Sequence, residues 1–165
     1  MDKQEIKELV DNLAAVMGID SPKIRYGNNM CYSRNTITIN KNYLNDDKYL
    51  IGSIAHEMVH CMNKDKYKIK SYCFENLIHE VRADINGYYY LHLIDATYSK
   101  EDYLCFIKTI QKDHIATNFS DKKCLKYGYF PCDVRIELVN NYDKFTNDMI
   151  ETLQQKYDDM KRKNL

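Results

Sequence analysis

Residues 51–63 read IGSIAHEMVHCMN: two histidines four positions apart, a glutamate beside the first, and aliphatic residues on both sides. At about 100° per residue, His56 and His60 fall about 40° apart on one helical face. Two imidazoles so placed can share one metal ion. Ile51, Ile54, Ala55, Met58, Val59 and Met62 cover much of the remaining circumference, so the helix is held by its apolar side and presents the imidazoles to a cleft. Glu57 sits about 100° from His56. That offset lets a carboxylate reach a water on the metal without becoming a ligand itself. With five histidines in the chain, a chance H-E-x-x-H has a probability on the order of one in a hundred.

A catalytic zinc usually takes three protein side chains and leaves one position for water. No histidine stands six residues beyond His60, where the chain has Lys66. Glu80 is the better third ligand, since it falls on the next predicted helix, which can run back alongside the first. One turn later on the same face comes Asp84, placed to accept a hydrogen bond from a ligating imidazole. Ala83 and Gly87 share that face, and their small size lets the two helices approach closely. Glu75 competes with Glu80 but lacks an aspartate one turn on. His79 and His92 point about 100° and about 120° away from Glu80, and the cysteines read as buried thiols rather than ligands.

HEMVH (56–60) followed by EVRAD (80–84) resembles the H-E-x-x-H plus E-x-x-A-D signature of gluzincin metallopeptidases. The run TITINKNYLNDDKYLIGSIAHEMVH, a strand, a loop and the motif helix in quick succession, is most similar to the compact ImmA/IrrE-type metallo-endopeptidases. YFPCDVRIELV is similar to the Pro-x-x-x-Arg segment near the end of several such peptidases. The resemblance spans roughly residues 34–140. It implies that His56, His60 and Glu80 are zinc ligands, that Glu57 is the general base, and that Asp84 partners the first histidine.

The activity implied is that of a zinc-dependent endopeptidase hydrolysing a protein or peptide substrate, by a metal-bound water that Glu57 deprotonates. A donor for the developing oxyanion is expected C-terminal to both ligand helices, and His114, Tyr129 and Arg135 stay open for that role. Asp84 stands where ImmA/IrrE members often have Asn, Val59 where many have Gly, and no DNA-binding domain of the kind many carry is expected within these residues. A peptide deformylase would want a cysteine ligand in a Gly-Cys-Leu-like loop, which Cys31 in NNMCYS does not supply. The alternative is a non-enzymatic metal-binding or protein-interaction module on the same fold, against which Glu57 argues.

The rest of the chain supports one domain over residues 1–165, of α+β class: mostly helical and zincin-like, with a small sheet packed on the motif helix. Apolar spacing predicts a helix from Lys3 to Met17, two short strands at PKIRYG and NTITIN, and helices over about 47–62, 73–95 and 101–117. A long final helix is expected from near Cys132 to the KRK tail. Lys plus Arg equal Asp plus Glu at 24 each, so no global field draws in nucleic acid or an anionic membrane surface. The basic run KDKYKIK reads as a solvated loop. No apolar leader or membrane-length stretch occurs, and the six cysteines read as reduced thiols, so a cytoplasmic location is expected.

Overall fold

The computed structural model describes residues 1–164. Helix α1 (Lys3–Met17) starts where Asp2 accepts hydrogen bonds from the backbone N–H groups of Gln4 and Glu5, while Glu5 accepts from the N–H of Asp2. This reciprocal cap satisfies donors that the first helical turn leaves open. The helix stops at Gly18, whose φ of 67° suits a residue without a Cβ. Its buried stripe is Ile6, Val10, Leu13, Ala14 and Met17, as the spacing predicts.

Three strands follow: β1 (Lys23–Gly27), β2 (Cys31–Ser33) and β3 (Thr36–Asn40). Their spatial order is β1-β3-β2, with β3 parallel to β1 and antiparallel to β2. The sequence predicts two of them and misses β2, which has only three residues and polar flanks. What makes β2 a strand is the turn beyond it. Arg34 and Asn35 both adopt positive φ, 49° and 58°, the twist that closes a two-residue hairpin. Ile37 and Ile39 of β3 are fully buried, and β2 is left as an edge.

Helix α2 (Asp47–Asn63) carries the motif and begins at Asp46, whose carboxylate accepts from Tyr49 N–H. Leu50, Ile54, Ala55, Met58 and Val59 are fully buried, so neighbours enclose α2 on most sides. Helix α3 (Phe74–Ile94) lies against it. At Gly87 the approach is close: a Cβ there would lie 2.3 Å from the Tyr103 hydroxyl and 3.2 Å from the backbone nitrogen of His56. Helix α4 (Lys100–Ala116) packs on another side of α2, where a Cβ on Gly52 would lie 2.7 Å from Phe106 Cδ1. The Gly87–His56 approach sets the distance between α2 and α3, the helices that carry the candidate ligands.

The C-terminal third departs from the expected single long helix. It forms α5 (Asp121–Tyr127), α6 (Cys132–Asn141) and α7 (Met149–Asn164). Helix α6 ends at Tyr142, whose backbone is extended, and the chain then buries Phe145 with its N–H donated to Asn86 Oδ1 at 2.9 Å. That long-range contact with α3 overrides the helical periodicity. No helix among the described residues is long and apolar enough to cross a membrane.

Candidate metal centre

His56 and His60 project from α2 on one face, and Glu80 from α3 meets them. The two Nε2 atoms lie 3.1 Å apart. Glu80 Oε2 is 3.3 Å from His56 Nε2, and Oε1 is 3.5 Å from His60 Nε2. Corners of a tetrahedron with bonds of about 2.1 Å are separated by about 3.4 Å. The three side chains therefore already have the spacing of ligands around one small ion.

The backs of both imidazoles are engaged. His56 Nδ1 is 2.9 Å from Asp84 Oδ1, and His60 Nδ1 is 2.9 Å from Asp65 Oδ2. A carboxylate accepts, so each Nδ1 carries the hydrogen and each Nε2 presents a lone pair. With both imidazoles neutral, two lone pairs and a carboxylate would face one another. Two imidazole nitrogens and one carboxylate oxygen so arranged could hold a metal ion.

Without an ion, a proton on His56 meets the same demand for positive charge. Burial alone would lower the His56 pKa, yet hydrogen bonds and charge from Asp84 and Glu80 outweigh it and raise it to about 10. Burial would likewise raise the Glu80 carboxyl, but His56 and His60 hold it below its usual value. The pocket demands positive charge.

Each supporting carboxylate is itself clamped by an arginine. Arg135 donates Nε to Asp84 Oδ2 and Nη2 to Asp84 Oδ1, both at 2.7 Å, in a pair that is almost wholly buried. Arg82 donates Nη2 to Asp65 Oδ1 at 2.5 Å, and His79 Nε2 lies 3.6 Å from the same oxygen. The Asp65 arm is absent from the sequence reading. Its signal was local: Lys64 caps α2 at φ 54°, and this left-handed turn folds Asp65 back so that its N–H donates to His60 O at 3.0 Å.

Glu57 stands apart from the cluster. Its Oε2 accepts the backbone N–H of Tyr32 at 2.6 Å, so the edge strand β2 fixes it over the cleft. Arg135, His114 and Tyr129 all line this cleft, of about 570 Å³. Arg135 has two of its nitrogens given to Asp84. His114 Nδ1 lies 3.9 Å from Cys124 Sγ and 3.8 Å from Cys132 Sγ, and burial lowers its pKa, so it is neutral near pH 7. Burial and the nearby Glu80 push the Tyr129 hydroxyl well above its ordinary pKa, so it remains a donor. Glu75 is exposed and paired with Lys68, away from the cluster, and His92 is exposed on the last turn of α3. All six cysteines are free.

Comparison with family models, curated proteins and solved structures finds no match to this chain.

Proposed function

We propose that the protein is a zinc-dependent endopeptidase of the gluzincin type, similar in plan to the ImmA/IrrE metallopeptidases, that hydrolyses a peptide bond of a protein substrate. The observation that carries this reading is the pairing of the convergent His56–His60–Glu80 cluster with a carboxylate, Glu57, held beside it but outside it. A purely structural metal site has no need of that fourth group.

When bound, zinc would supply Lewis acidity and bring a water into the ionisable range near neutral pH. Glu57 takes the proton from the attacking water and passes it to the leaving amine. The Tyr32 N–H orients one carboxylate oxygen for this work and leaves the other free to carry the proton. Asp84 and Asp65 hold the two imidazoles in the tautomer that presents Nε2. Tyr129 and His114, both neutral donors lining the cleft, are the residues available to stabilise charge on the substrate carbonyl oxygen. The substrate backbone lies along the outer edge of β2 and pairs with main-chain groups other than the Tyr32 N–H, which Glu57 holds, so that affinity comes without regard to sequence. Six free thiols fit a reducing compartment, and we place the protein in the cytoplasm.

Metal analysis of protein purified without added zinc, together with Glu57→Gln against wild type on an unstructured protein substrate, tests the reading. One metal per chain in both and cleavage by wild type alone supports it. Equal cleavage by both removes Glu57 from the mechanism, and two proteins without metal remove the centre.

A further inference from the structure

The cleft continues past the metal cluster. Tyr32, Asp65 and Tyr67 line both it and a second groove of about 1150 Å³. The divide falls on the middle residue of β2: the Cys31 end of the strand faces the first cavity, and the Ser33 end faces the second. A peptide laid along this edge would cross Glu57 with one half on each side.

The two halves differ in chemistry. At the Cys31 end, Met30, Tyr49, Phe106, Ile110 and Phe119 give an apolar wall. At the Ser33 end stand Arg34, Lys64 and Lys66, all exposed. The neighbouring cations are engaged, Arg82 by Asp65 and Lys68 by Glu75. Arg34, Lys64 and Lys66 have no ion pair among the described residues. The carboxylates in this half are Asp20 and Asp65, and Asp65 is already bound by His60 and Arg82. The groove therefore holds a surplus of unanswered positive charge although the whole chain has formal net charge +0.

Backbone conformation sharpens the point. Arg34 and Lys64 adopt φ of 49° and 54°, in the left-handed region where glycine or asparagine costs less. Long cationic side chains stand at both corners of the groove nonetheless.

We infer that the cleft takes a bipolar peptide segment, with an apolar side chain on one flank of the cut bond and acidic side chains on the other. This rests on the endopeptidase reading and deepens it by naming the substrate's local chemistry. The apolar flank contributes burial that is indifferent to salt. The acidic flank contributes attraction that salt screens.

The test uses metal-loaded Glu57→Gln full-length protein and fluorescence anisotropy with labelled peptides. These share an apolar half and carry an acidic, a serine-rich or a lysine-rich second half, each made in both chain orders. In one chain order at low salt, the acidic peptide is expected to bind roughly tenfold tighter than the serine peptide, and the lysine peptide weaker still. The gap should narrow to within about threefold near 1 M salt, where the Debye length is ~3 Å. Replacing the apolar half by serine should weaken all three peptides. R34E/K64E/K66E should reverse the ranking; these side chains are exposed, and the salt titration on the unreversed protein gives a second, independent reading. Equal affinities, a ranking unmoved by salt and charge reversal, or no binding at all would overturn the inference. Loss of cleavage in Glu57→Gln is a separate readout, so the endopeptidase reading can stand while this specificity fails.

Discussion

Tyr32 and Glu57 are joined by a 2.6 Å hydrogen bond from the backbone N–H of an edge strand to a carboxylate on the motif helix. The bond ties the candidate base to the strand along which substrate is proposed to lie. It also means that side-chain changes at position 32 leave the contact in place, whereas loss of the N–H removes it.

Tyr32→Pro should therefore lower kcat roughly tenfold to a hundredfold, the range expected for losing one hydrogen bond to a charged group. Proline is tolerated at an edge where the N–H does not serve the sheet ladder. Tyr32→Phe is the control and should keep kcat. Metal content by mass spectrometry should equal wild type in both, and a fall in metal content in the proline variant would contradict a role confined to Glu57.

Asp65 and Asp84 hold the two imidazoles at the same 2.9 Å distance. Asp65→Asn and Asp84→Asn should each weaken zinc affinity about 10- to 100-fold, measured by competition with a chromogenic chelator. Wild-type affinity in Asp65→Asn would show that the second arm does not position His60.

Arg135 makes the Asp84 carboxylate tolerable in the core. Burial raises the Asp84 pKa, but charge and hydrogen bonds from Arg135, with His56, outweigh it and bring it from 3.8 to about 2. Because the folded value is the lower one, the stabilisation is complete above the unfolded value and is lost as pH falls toward about 2. The difference corresponds to about 2 kcal/mol. Urea unfolding of the metal-free protein between pH 5 and pH 2 should show this loss, and Asp84→Asn should lack it. Arg135→Met, which strands the buried carboxylate, should cost about 3–5 kcal/mol at neutral pH.

Gly87→Ala should destabilise the protein by about 1–3 kcal/mol, because the added methyl meets the Tyr103 hydroxyl at 2.3 Å. The methyl would also press on the His56 backbone nitrogen of α2 at 3.2 Å. A melting temperature equal to wild type would refute the tight crossing.

The convergence of His56, His60 and Glu80 was legible because each sits at a helical spacing that fixes its direction. His56 and His60 are one turn apart, and Glu80 and Asp84 repeat that interval on α3. The Asp65 arm and the Tyr32 contact were not legible: one depends on a left-handed turn at Lys64, the other on a three-residue strand too short for a periodic signal. The expected unbroken C-terminal helix failed at residues 142–148, where burial of Phe145 against Asn86 outweighs local propensity. Boundaries of α2, α3 and α4 lie within about a residue of those predicted, since capping groups and strong amphipathic patterns mark them.

The bidentate Asp84–Arg135 pair has a bearing on how the nascent polypeptide matures. The His56, His60 and Glu80 side chains have all emerged from the ribosome once residue 80 is clear, but the counter-charge that lets Asp84 sit in an oily interior comes 51 positions after Asp84. A growing chain halted between those points carries a half-assembled centre with a stranded anion behind it. Closure of the interior around Asp84 thus waits for Arg135, and a chain stopped before residue 135 should yield a product that does not fold tightly.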